Sequence, residues 1–215
     1  MLSIGILVFD DVEILDFSGP YEVFSTAARV HRRTMPSAML FACSLIAEES
    51  RPVRTRGGML VLPDHVLAAA PDIDVLIVPG GDVSAVRDKA SVIDWIRTRH
   101  TRSTITASVC TGAFLLAKAD VLAGLEATTH WEDQAELQAA FPTLKVVKDA
   151  PWVDCGKVMS SGGISAGIDM SLHLVERLAG RELALATARQ MEYRWNEHGS
   201  DRRADTTHTD VLSTA

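Results

Sequence analysis

Cys110 lies in the run Ser103-Thr-Ile-Thr-Ala-Ser-Val-Cys110-Thr-Gly112-Ala-Phe-Leu-Leu-Ala117, where a β-branched apolar segment gives way to a helical one. A thiol at such a strand-to-helix bend is held out of the packed layers and faces the amides of a helix N-terminus, which favour a thiolate. That setting suits a nucleophile. Asp16 lies just beyond the first apolar segment, and Thr111-Gly112 adjoin the thiol. Gly80-Gly81 directly follow Ile73-Val-Leu-Ile-Val78-Pro79, so the Gly81 N–H is placed to steady a polarised substrate. Ser161-Gly-Gly-Ile164 leads into a late helix.

Each of these residues also has a plain structural reading: a buried thiol for Cys110, a turn for Asp16, tight bends for the glycines. Position separates the readings. In an open, mostly parallel sheet the ligand site lies beyond the carboxyl ends of the strands, and all four segments fall at that edge. Cys43, inside an apolar strand, and Cys155, in a hairpin turn, lack such a setting and are read as structural. His130 sits in a helix-start pattern and is read as a surface or capping histidine rather than the partner of Cys110. The Gly162-Gly-Ile-Ser-Ala-Gly167 run lacks dinucleotide-fingerprint spacing, and no metal motif is present. Neither a metal nor a cofactor is called for.

The elements that must position these groups are short apolar runs alternating with helical patterns: Ile4 to Phe9, Met39 to Ile46, Ile73 to Val78, Ser103 to Val109 and Lys145 to Val147. The alternation predicts parallel β-α-β units with helices on both faces of a sheet. Gly57-Gly58 between Val53-Arg-Thr-Arg56 and Met59-Leu-Val-Leu62 predicts a two-residue hairpin, and Trp152 to Met159 a second; both would decorate the main sheet. Gly19-Pro20 places proline at a first helical position. Thr129-His-Trp-Glu132 reads as a capping box opening a helix through Ala140. Ile164 to Leu178 reads as a helix stopped at Gly180, followed by a last helix from Arg181 to about Trp195. One domain over residues 1–195 is expected, then a polar tail over 196–215, disordered or lying on a partner.

The 215 residues are of single-domain size, with 47% hydrophobic residues and a formal charge of −7. A core of that size does without disulfides or metals, and the charge leaves no basic footprint for nucleic acid. The apolar N-terminus lacks a basic leader and no run reaches membrane-spanning length, so neither nucleic acid nor membrane is an expected partner and a cytoplasmic location is expected. Three cysteines without metal-like spacing suggest reduced thiols.

Taken in order, Leu15-Asp-Phe-Ser-Gly-Pro20, Val78-Pro-Gly-Gly81, Ser108-Val-Cys-Thr-Gly112, Ala127-Thr-Thr-His-Trp131 and Gly162-Gly-Ile-Ser-Ala-Gly-Ile-Asp169 resemble the ThiJ/PfpI superfamily, the class I glutamine-amidotransferase-like fold, up to about Trp195. The resemblance implies a flavodoxin-like three-layer α/β sandwich with a mostly parallel sheet, a homodimer, and Cys110 on a strained nucleophile elbow. Members with peptidase or deglycase assignments usually carry glutamate beyond strand one, and many peptidase-like members have histidine after the cysteine. This chain has Asp16 and Thr111 there, a pattern similar to isonitrile hydratases and to the sensor domains of AraC-type regulators. The regulators carry a further helix-turn-helix portion for which this chain leaves no room. The resemblance thus implies an isonitrile-hydratase-like enzyme acting on a small molecule, with Cys110, Asp16 and Thr111 catalytic and Gly80, Gly81 and Ile164 binding substrate. A non-enzymatic ligand or thiol sensor, and a cysteine hydrolase of another small electrophile, are the alternatives.

Overall fold

The computed structural model describes residues 1–201. In chain order the elements are β1 (Leu2–Leu7), α1 (Ile14–Thr34), β2 (Phe41–Ala47), β3 (Val53–Arg54), β4 (Leu60–Val61), β5 (His65–Val66) and β6 (Val75–Val78). There follow α2 (Ala90–Arg102), β7 (Ile105–Val109), α3 (Gly112–Lys118), β8 (Glu126–Ala127), α4 (Gln134–Ala140), β9 (Lys145–Val146), β10 (Trp152–Asp154), β11 (Val158–Ser161), α5 (Ala166–Ala179), α6 (Arg181–Gln190) and β12 (Ser200–Asp201).

Eight strands form one sheet in the order β12-β10-β11-β7-β6-β1-β2-β5. All its pairings are parallel except β10 with β11. The runs of Val, Ile and Leu in β1 and β6 are buried on both faces, as a parallel sheet covered by helices requires; Ile4, Ile6, Val75 and Ile77 are wholly inaccessible. Helices α1, α5 and α6 pack together on one side, α2 and α3 on the other. From β1 the chain steps outward to β2 in one direction, then returns to lay β6, β7 and β11 in the other. With right-handed crossovers that reversal puts the helices on opposite faces and opens a crevice between the carboxyl ends of β1 and β6. The expected three-layer α/β sandwich is what the chain forms.

Several local expectations change. Helix α1 begins at Ile14, not at Pro20, because the Glu13 side chain accepts the Ile14 N–H and caps it. Pro20 lies inside the helix, where its missing N–H forfeits the bond to the Asp16 carbonyl. Asp16 is therefore a first-turn helical residue rather than part of a loop. The glycine hairpin closes over residues 55–59 instead of two residues, with Thr55 N–H to the Met59 carbonyl at 2.9 Å. The second hairpin, β10–β11, is not a decoration: β11 pairs with β7 and extends the main sheet. Helix α5 starts at Ala166, leaving Ile164 in the preceding loop, and α6 ends at Gln190. Beyond it, Trp195 Nε1 donates to the Asp169 carbonyl at 3.1 Å and the Asn196 N–H to Asp169 Oδ1 at 2.8 Å. Residues 200 and 201 then pair with β10, so the start of the expected polar arm lies on the domain itself; its remainder, 202–215, falls outside the described residues.

Candidate functional site

The crevice at the β1/β6 switch is built from four segments. The first is the loop from β1 into α1, which a bridge between Val12 and Gly81 fastens to the end of β6. Only glycine fits at 81: its φ is +128°, and a Cβ there would lie 2.2 Å from the Asp11 carbonyl oxygen. At Gly80 a Cβ would meet Thr111 Oγ1 at 2.5 Å and Cys110 Cβ at 2.9 Å. The glycine pair thus lets the ends of β6 and β7 approach closely enough for the two loops to interlock.

Asp16 is fully buried. Its Oδ2 accepts the Gly80 N–H at 3.2 Å, while Oδ1 makes no well-formed hydrogen bond among the described residues. Desolvation pushes its carboxyl up to about 7, against the opposing pull of the Gly80 N–H and the Cys110 thiol; the nearby Glu13 adds to the rise. Asp16 therefore exchanges its proton near neutral pH.

Cys110 follows β7 with φ of +56°, a left-handed conformation that an L-residue adopts only when its surroundings impose it. Here three backbone contacts impose it. The Cys110 N–H donates to the Ser161 carbonyl at 3.0 Å, and the Cys110 carbonyl accepts from the Ala113 N–H at 3.2 Å and from the Thr129 hydroxyl at 2.8 Å. Burial, with the charge of Asp16 second, pushes the Cys110 thiol up to about 12, and the Thr111 amide and hydroxyl only partly counter this. Desolvation thus outweighs the pull of the helix N-terminus and favours the protonated thiol over the thiolate.

Thr111 is placed beside the thiol, but its hydroxyl is engaged with Gly81, donating to the carbonyl and accepting from the N–H, each at 2.9 Å. The Gly81 N–H, expected to steady a bound group, is thus donated to Thr111. Together these bonds fix the relative position of the two loops that carry the thiol and the glycine pair. Ile164 lines the cavity and is 40% exposed.

Sequence reasoning left three participants without the part they take in the site. The capping-box spacing assigns Thr129 to a helix start, yet a 3₁₀ turn over 131–133 precedes α4 and the Thr129 side chain turns back to Cys110. Gly163 lies against the thiol, since a Cβ there would sit 2.7 Å from Cys110 Sγ and 2.7 Å from His130 Cδ2. His130 consequently belongs to the site wall rather than to the outer surface, with Nδ1 3.6 Å from both Glu132 and Asp133 carboxylates. The cavity over the thiol holds about 280 Å³ and is bordered by Glu13, Arg56, Asp82, Glu132 and Asp133. Among the described residues no cluster of three or more His, Cys, Asp or Glu is arranged to hold a metal ion.

Such an arrangement pairs a protonated thiol with a carboxyl that is part-ionised at neutral pH, under a cavity sized for a small molecule. Comparison with known proteins agrees with the architecture. Residues 2–177 match the model of the DJ-1/PfpI family. The isonitrile hydratase of Pseudomonas putida is 33% identical over 196 residues, 89% of this chain and 78% of that protein. The HTH-type transcriptional regulator GbdR of Pseudomonas aeruginosa is 30% identical over 89% of this chain, which spans only 50% of the regulator's length. Among solved structures, a ThiJ/PfpI family protein from Pseudomonas syringae superposes with a TM-score of 0.79 at 26% identity, covering 91% of this chain and 76% of that one.

Proposed function

The chain belongs to the DJ-1/PfpI family, and from that premise we propose that it is a cysteine enzyme that hydrates a small isonitrile to an N-substituted formamide. The observation that carries this reading is the Asp16–Cys110 pair, a buried thiol on a left-handed bend beside a fully buried carboxyl that the Gly80 N–H holds in place, where burial pushes both groups upward. The terminal carbon of an isonitrile must gain both a nucleophile and a proton. Ionised Asp16 takes the proton from Cys110 as sulfur bonds to that carbon, and returns it to the same carbon, giving R–N=CH–S–Cys. Water then adds to the thioimidate carbon, the nitrogen is protonated, and the C–S bond breaks to release R–NH–CHO and the thiol. No redox partner is required, because the thiol proton ends on the isonitrile carbon and water supplies the atoms that complete the formamide. Thr111 and Gly81 hold the two loops in register, and Ile164 forms an apolar side of the cavity.

The similarity to the regulator GbdR over its matched half supports a second reading, a site that binds a small ligand without turning it over. A peroxide-sensing thiol fits less well, because oxidation proceeds through a thiolate and burial holds this thiol protonated. A homodimer and a cytoplasmic location accompany the enzymatic reading. The exposed Met59, Leu60 and Leu62 around β4 support an apolar contact between copies, and no helix among the described residues is long and apolar enough to cross a membrane.

Incubation with an alkyl and an aryl isonitrile, followed by chromatographic detection of the formamide, tests the proposal. Turnover should be lost in Cys110→Ala and in Asp16→Asn. Absence of formamide from the parent protein, or full activity without the thiol, would reject hydration; saturable isonitrile binding without product would favour the ligand-binding reading.

A further inference from the structure

The groups around the cavity mouth are unevenly charged. Glu13, Asp82, Glu132 and Asp133 line it together with Arg56 and His130. Glu13 is partly matched, with Oε2 4.0 Å from the Arg56 guanidinium and Oε1 capping α1. Asp133 is drawn towards its neutral form by burial and packs beside His130. Asp82 and Glu132 are the more exposed of the four carboxylates. The Asp82 carboxylate is held in its charged form chiefly by the Ser84 hydroxyl and N–H, which donate to Oδ1 at 2.6 and 2.9 Å, with smaller contributions from the charges of Arg56 and Arg87. Glu132 is 63% exposed and stands 3.6 Å from His130. Asp16 is buried beside Cys110. The cavity is lined mainly by charged and polar side chains, and an excess of one sign around its mouth acts on an entering molecule as a whole.

We propose that this cavity selects its substrate by charge, admitting small neutral or cationic electrophiles to Cys110 and turning away anionic ones through Asp82 and Glu132. The inference deepens the reading of Cys110 as a nucleophile, since it names the class of molecule that reaches the sulfur. Under that reading the favoured isonitriles carry an uncharged or ammonium-bearing substituent, and a carboxylate-bearing isonitrile is a poor substrate. The same selection applies to any electrophile in the cavity, so it can be read without turnover.

Thiosulfonate labelling isolates the effect. The Cys110 sulfur displaces methanesulfinate from the reagent, forming a mixed disulfide while the reagent's S–SO₂ bond breaks and the sulfinate departs with the electron pair. Rates are measured by mass spectrometry of the Cys110 peptide for three methanethiosulfonates bearing trimethylammonium-ethyl, methyl and sulfonatoethyl groups, each divided by its rate with a small free thiol. The cationic reagent should label Cys110 at least about tenfold faster than the anionic one on that scale, and high salt should compress the ratio. Asp82→Asn combined with Glu132→Gln should bring the ratio close to that of the free thiol while the neutral reagent's rate holds. Arg56→Gln should move the ratio the other way, which keeps the test decisive if the double variant folds poorly. A ratio at or below that of the free thiol, or one that ignores both sets of substitutions, would overturn the proposal. Neither result depends on isonitrile hydration, so failure there is distinguishable from failure here.

Discussion

The Thr129 hydroxyl donates a 2.8 Å hydrogen bond to the carbonyl oxygen of Cys110, across nineteen residues of sequence and in a fully buried setting. It is one of the contacts that hold the cysteine at φ +56°. Thr129→Val keeps the shape of the side chain and removes the donor, leaving the Cys110 carbonyl with the Ala113 N–H alone, at a cost of about 0.5–1.5 kcal/mol. Chemical denaturation should show that loss, and the rate of Cys110 alkylation should fall with it as the bend relaxes. Thr129→Ser should restore both. If the valine variant left alkylation untouched while destabilising the fold, the bond would be structural without positioning the thiol.

Asp16 makes stability depend on pH in an unusual direction. Its folded-state pKa of about 7 lies above the ordinary 3.8, so the folded protein holds this proton more tightly than the unfolded chain. The contribution is full below the unfolded value, declines as pH rises between the two, and is lost above the folded one. The difference between 3.8 and about 7 corresponds to roughly 4 kcal/mol. Asp16→Asn, uncharged throughout, should lack this slope: it should be more stable than the parent by a few kcal/mol at pH 8, with most of the gain gone near pH 4. Urea midpoints across that range measure it, and parallel curves for the two proteins would show that Asp16 is not held neutral by burial.

The same substitution separates stability from chemistry. The charge of Asp16 is the second cause, after burial, of the raised Cys110 pKa. Removing it should lower the thiol's titration midpoint, followed by the ultraviolet absorbance of the thiolate, even as isonitrile turnover disappears. Under the proposed hydration, kcat/KM of the parent protein should rise with pH towards a plateau above about 7, because that reading makes the ionised Asp16 carboxyl the acceptor of the thiol proton. A thiolate that forms more readily and yet does not turn over would place the proton transfer, not nucleophilicity alone, at the centre of the reaction.

What could be read from residue order was whatever depends on periodicity and strand ends. The alternation from Ile4 to Val109 specified a parallel sheet, and the ends of β1, β6, β7 and β11 specified the edge where Asp16, Gly80, Cys110 and Gly163 meet. Interactions that compete with a local motif were hidden. Thr129-His-Trp-Glu132 has the spacing of a capping box, but its threonine is drawn to a carbonyl that β7 delivers from elsewhere in the chain. Pro20 marks an early helix turn equally well whether the helix starts there or at Ile14; the deciding group was the Glu13 carboxylate, whose bond to the Ile14 N–H has no sequence signature of its own. The protonation state of Cys110 was likewise invisible, since it turns on how deeply the thiol and Asp16 are buried together.

Gly163 tests how closely the sulfur is confined. It does not occupy a positive-φ conformation, so an alanine there adds no left-handed strain and its Cβ acts on the groups it meets. That Cβ would lie 2.7 Å from Cys110 Sγ and from His130 Cδ2, and 3.3 Å from Cys110 Cβ. Something must shift, and the Cys110 backbone is pinned by Ser161, Ala113 and Thr129, so the thiol rotates or the histidine wall retreats. Overpacking of this kind costs about 1–3 kcal/mol in stability, whereas displacing a reacting atom by about 1 Å can cost roughly a hundredfold in rate. Gly163→Ala should therefore lower kcat/KM for isonitrile by about ten- to a hundredfold, while unfolding at only slightly lower denaturant. His130→Ala in the same background gives the added methyl group somewhere to go; recovery of activity in that double variant would show that the sulfur, and not the loop, was what Gly163 protects.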